Sequence, residues 1–138
     1  MISKRHSMTL KALSVAAALA FAAVAPASAH HAINAQFDVS KTIEVKGVLT
    51  KVDWVNPHAY FHFDVADKGG KVTRWSFETP PPSGLRRAGL GQRGALPIGT
   101  TFNLVFNPSR NGEPVGLLHT MVYPDGKRVT VMARTAQP

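Results

Sequence analysis

Two short runs of strict alternation constrain this chain most. From His58 to Asp67, Ala59, Phe61, Phe63 and Val65 fall on one parity and His58, Tyr60, His62 and Asp64 on the other. From Lys71 to Glu78, Thr73, Trp75 and Phe77 alternate with Arg74, Ser76 and Glu78. A period of two marks strands that bury one face, and Asp67-Lys68-Gly69-Gly70-Lys71 between them has the composition of a hairpin turn. Side chains change face with every residue, so only registers whose paired numbers sum to an even value bury both apolar sets together; a sum of 138 suits a three-residue loop. That register predicts Phe63 opposite Trp75 and Phe61 opposite Phe77 inside. Outside, it sets Asp64 beside Arg74, His62 beside Ser76 and Tyr60 beside Glu78.

The flanking segments extend the β pattern. Thr42 to Val55 reads as one long strand, but Ile43, Val45 and Leu49 share a parity that Val48, Val52 and Trp54 do not, so a bend or bulge is expected at Gly47. Thr79-Pro80-Pro81-Pro82 ends the third strand, because proline lacks an amide donor. Ser83 is expected to cap a short helix over 84–90 with Leu85 and Ala88 on one face. Strands follow at 101–107, with Phe102, Leu104 and Phe106 inward, at 115–123, and at 127–132 after a Pro124-Asp125-Gly126 turn. Residues 135–138 read as a frayed tail. Three strands, a helix, then two or three strands is the order of an all-β, OB-like antiparallel barrel of five to six strands. A plain antiparallel sandwich is the competing architecture.

The amino terminus reads as an export signal. Lys4, Arg5 and Lys11 precede the apolar run Ala12–Val24, Pro26 breaks it, and Ala27-Ser28-Ala29 offers the small residues of a cleavage site. The run is short of the roughly 20 residues that span a bilayer. The expected organisation is a signal peptide over 1–29 and a single domain over 30–138, with the product in the periplasm or secreted. The absence of cysteine excludes disulfides and thiolate metal sites. Three of the sixteen Lys and Arg lie in the leader, leaving thirteen against eight Asp and Glu, a net charge of +5. Those charges are scattered and the chain is expected to be exported, so nucleic acid is not an expected partner. A small molecule, a metal or a periplasmic protein is.

Several of these segments together resemble a known family. The start Ala29-His30-His31-Ala32, Phe37-Asp38, Lys41, Gly47-Val48-Leu49-Thr50-Lys51-Val52-Asp53-Trp54-Val55-Asn56-Pro57-His58-Ala59, Trp75-Ser76-Phe77-Glu78, Leu85-Arg86-Arg87-Ala88-Gly89 and Tyr123-Pro124-Asp125-Gly126-Lys127 resemble short exported bacterial proteins carried as domain-of-unknown-function family 6152. The most specific element is Trp-x-Asn-Pro-His. The resemblance implies an OB-like periplasmic protein and no known activity. This chain departs from it at Ala32 and Ile33, where Ser and an aromatic residue are common.

Five histidines follow the leader: His30, His31, His58, His62 and His119. His58 and His62 sit four residues apart on one strand, roughly 13 Å, too far to chelate one ion. Cleavage after Ala29 would free the amine of His30, and amine plus imidazole resembles the histidine brace that binds copper, with His31, His58 or His119 as further metal ligands. The plain alternative is an unstructured terminus. A second candidate surface is ligand-binding: Trp54, Asn56, His58, Tyr60, His62, Arg74 and Glu78, on the face that OB-like barrels use. Asn56-Pro57 also has a purely architectural reading as a loop fixed by proline. No nucleophile elbow, metalloprotease helix or phosphate loop occurs, so no catalytic residue is assigned. The expected function is a non-catalytic binding protein of unknown ligand. Copper binding is the first alternative, and an interaction module without a small ligand is the second.

Overall fold

The computed structural model describes residues 32–92 and 94–133. The chain divides into two compact units, Met1–Ala35 and Gln36–Pro138. Of the first, residues 32–35 are described and are helical. The leader, the histidine pair His30-His31 and the tail at 135–138 lie outside the described residues. Among those described, no helix is long and apolar enough to cross a membrane.

The second unit is a closed barrel. Its elements are β1 (Ile43–Asp53), β2 (Tyr60–Ala66), β3 (Val72–Glu78), α1 (Pro82–Arg87), β4 (Thr101–Pro108), β5 (Val115–Val122) and β6 (Arg128–Thr130). The β2–β3 hairpin has the register that its alternation predicts: Phe63 pairs with Trp75, Phe61 with Phe77, Asp64 with Arg74, His62 with Ser76 and Tyr60 with Glu78. β1 pairs with β2 on one side and β4 on the other, β4 pairs with β5, and β5 returns to β3, so five strands close on themselves. β6 is an extra strand on β5. The closing β3–β5 pair is parallel, through Ser76–Val115, Phe77–Gly116 and Glu78–Leu117. Hairpin arithmetic does not reach this contact, which joins strands separated by a helix and another strand. The order and the helix between β3 and β4 are those of an OB-like barrel.

The barrel is filled by aromatic residues. Phe61, Phe63, Phe77, Phe102 and Phe106 are buried with Leu49, Leu104, Leu118 and Met121. Edge-to-face contacts join Phe63 to Phe77 and Phe102, and Phe77 to Phe106. Such pairs each contribute about 0.5–1.5 kcal/mol beyond their buried area.

Two local expectations are corrected. The parity change in β1 falls between Leu49 and Lys51, with Thr50 as the extra residue, rather than at Gly47. Gly47 continues the inward row because the wall is tight there: an added Cβ would sit 3.0 Å from Phe63 Cβ and 3.1 Å from Val65 Cγ2. After the bulge Val52 packs against the core, while Val48 stays outside. The helix starts at Pro82, with Pro81 at its cap and no side-chain capping bond, so Ser83 is not the cap. Proline's fixed φ suits the first helical turn, where its missing N–H costs nothing.

Candidate functional site

The outer face of β1, β2 and β3 carries most of the ligand-binding candidates, and the register arranges them in rows. Asp53, Tyr60 and Glu78 form one row, Lys51, His62 and Ser76 the next, and Val48, Asp64 and Arg74 the third. Opposite charges meet throughout. Lys51 Nζ lies 2.7 Å from Asp53 Oδ1, His62 Nε2 donates to Asp53 Oδ2 at 2.9 Å, and Arg74 Nε donates to Asp64 Oδ1 at 2.8 Å. The Lys51 ammonium, seconded by His62, holds the Asp53 carboxyl below the usual carboxylate range. Arg74 does the same for Asp64. Glu78 is buried, and its Oε1 meets His58 Nδ1 at 2.5 Å. Burial, followed by the nearby Glu78 carboxylate, raises the Tyr60 phenol and keeps it neutral. Every charged candidate on this face is therefore already matched.

The other two candidates, Trp54 and Asn56, lie at the end of the barrel. The cause is local. Thr79 N and Oγ1 both donate to Ala59 O, at 3.0 and 2.9 Å, and Ala59 N reaches Pro80 O. These bonds clamp the end of the β1–β2 loop to the segment that starts α1. That loop, which includes a cis Asn56–Pro57 bond, is thereby held beside the helix. Between them opens a cleft of about 520 Å³ lined by Trp54, Asn56, Pro82, Ser83, Arg86 and Gly91. Leu85 anchors α1 in the core, which leaves Arg86 facing the cleft. Gly91 is needed there: a Cβ would fall 2.2 Å from Arg86 Cγ, so the arginine stem lies flat against the glycine backbone.

Among the described residues, the side chains of Asn56, Ser83 and Arg86 have no hydrogen-bond or ion-pair partner. Trp54 is 46% exposed, with only an edge contact to Phe61. It also lines a second cleft of about 420 Å³ that includes Val52, Leu90, Leu96 and Ile98. Ser83, Arg86 and Gly91 were absent from the expected site. In sequence the Arg86-Arg87 pair is indistinguishable from solvated surface charge; only the loop-to-helix clamp gives it a neighbour in Trp54.

The metal candidates do not assemble among the described residues, where no three His, Cys, Asp or Glu side chains are grouped to hold an ion. His58 is engaged by Glu78. His119 is buried at the β4–β5 irregularity between Val105 and Phe106. Asn107 Nδ2 donates to Lys41 O, which turns Oδ1 toward His119 Nε2, and His119 Nδ1 lies 3.3 Å from Met132 O. This histidine ties strands together. His30 and His31, on which the copper reading depends, are outside the described residues.

Residues 17–120 match the model of a family of unknown function (DUF6152). No curated protein and no solved structure matches.

Proposed function

The chain belongs to that family of unknown function, and we propose that it is an exported, non-catalytic protein that binds a small ligand in the cleft between the β1–β2 loop and α1. The observation that carries this reading is the convergence of Trp54, Asn56, Ser83 and Arg86 on one open cavity, with their polar groups unmet among the described residues. Small-molecule sites combine apolar or aromatic walls with a few directed polar groups, in volumes of about 300–1,000 Å³. Export is supported by the basic, apolar and small-residue order of residues 1–29. The non-catalytic reading rests on the sequence, which carries no nucleophile elbow, metalloprotease helix or phosphate loop.

The two tryptophans make the test direct. Trp75 is stacked on Phe77, so Trp75→Phe leaves Trp54 as the sole indole reporter. Titration with fractionated low-molecular-weight periplasmic extract is expected to change Trp54 emission saturably and to raise the melting temperature. Flat emission and an unchanged melting temperature across all fractions would defeat the proposal. Amino-terminal sequencing of the periplasmic product is expected to begin at His30; recovery of the intact precursor from the cytosol would remove export.

A further inference from the structure

We infer that the ligand of this cleft is a small monoanion built on a ring, a ring-bearing carboxylate, held by its charge at Arg86 and by its flat face at Trp54. This rests on the small-ligand reading and adds a chemical class to it.

The charge distribution carries the argument. Asp53, Asp64 and Glu78 each have a cationic or imidazole partner within 3.0 Å. Arg86 has none among the described residues, and no Asp or Glu lines its cleft. A guanidinium held at a cavity wall with no counter-charge favours an anionic guest, and its planar fork matches two carboxylate oxygens at once. Among the described lining residues Arg86 is the one cation, which suits one negative charge. The packing of the Arg86 stem on Gly91 limits the rotamers left to the side chain, so less freedom is lost when the fork is engaged. Ser83 supplies a hydroxyl donor on the same wall, and Asn56 supplies an amide that serves polar substituents.

The apolar half of the guest is set by Trp54. Its ring meets Phe61 by an edge at 6.4 Å, interplanar angle 65°, so it is not stacked on that neighbour. It borders both clefts. A flat ring is the shape that covers an indole with the most contact, and offset stacking contributes about 0.5–1.5 kcal/mol beyond area. Acetate offers no such surface, and a neutral ring offers no charge.

The test uses the full chain and matched pairs of probes: benzoate with benzamide, and 2-naphthoate with 2-naphthamide, alongside acetate and inorganic phosphate, each titrated by amide NMR shifts. The acids are expected to bind with shifts confined to residues 54–56 and 83–91, and more tightly than their amides. Acetate and phosphate are expected to be weaker than the ring acids. Arg86→Gln should weaken the acids by roughly 10- to 100-fold, the worth of a charged hydrogen bond, and the amides by clearly less. Arg86→Lys should recover only part of the loss, because the charge returns without the fork. Acids and amides binding alike at these residues would overturn the anionic class while leaving a small-ligand cleft. Phosphate binding as tightly as benzoate would overturn the ring. No response from either series at 54–56 and 83–91 would overturn both this inference and the reading it rests on.

Discussion

The outer face of β1–β3 and the cleft at the barrel end carry similar polar side chains and differ in how those side chains are satisfied. On the face, direct strand pairing sets Asp64 opposite Arg74, and Lys51 and His62 both reach Asp53 in the next row, so charge is cancelled where it arises. At the end, the β1–β2 loop and α1 come from different parts of the chain, and Arg86 and Trp54 line one cleft with no carboxylate among its described lining residues. Polar residues on a sheet face stabilise cross-strand pairing by a few tenths to about 1 kcal/mol per pair. Polar residues left unmatched at a cavity remain available to a guest. On the proposed reading, a ligand surface in this barrel is marked by unmatched groups rather than by polar density.

This contrast is easiest to break at Glu78, which is 6% exposed and belongs to the face. Glu78→Ala removes the partner of His58 and empties a buried position. The expected loss is about 1–3 kcal/mol in chemical denaturation, with the affinity of any cleft ligand kept. A variant of unchanged stability that loses the ligand would move the site onto the face.

Trp54→Ala should show a smaller stability cost, about 1 kcal/mol, because nearly half of the ring is already in solvent. Its binding loss should be large. Arg86→Ala should change stability by no more than about 0.5 kcal/mol, as expected for a surface position without partners, while removing carboxylate binding. Gly91→Ala keeps the charge and displaces the Arg86 stem, so it should weaken binding by less than Arg86→Ala does.

The smallest effect belongs to the exposed pairs. The carboxyls of Asp53 and Asp64 lie below their ordinary range in the folded chain. The folded state then binds fewer protons than the unfolded one through the acid range. Their contribution is complete above the ordinary carboxylate value and is lost as pH falls through the lowered folded values. Melting temperature followed through that range should fall with pH, and Asp64→Asn should flatten the slope. An identical slope in the variant would show that the Arg74–Asp64 pair adds nothing.

How much of this was legible in the sequence depends on how far apart the interacting residues lie. The β2–β3 pairing was readable residue by residue, because side-chain period and a short turn leave one sensible register. The parity change in β1 is readable, and glycine, the usual sign of a bulge, points to Gly47; the common core that Leu49 and Val52 share sets the bulge at Thr50 instead. The parallel β3–β5 pair and the burial of Asn107 with His119 depend on contacts between strands that do not adjoin in sequence. Trp54 and Asn56 stood among the expected site residues. Their partner Arg86 did not, because a clamp between Ala59 and Thr79, 20 residues apart, is what brings α1 to the loop.

The most direct measurement compares the tightest cleft ligand across two single variants, Trp54→Ala and Tyr60→Ala, by calorimetry. Loss of binding in Trp54→Ala with wild-type affinity in Tyr60→Ala is the outcome this account requires. Wild-type affinity in Trp54→Ala together with loss in Tyr60→Ala would contradict it and return the ligand to the strand face.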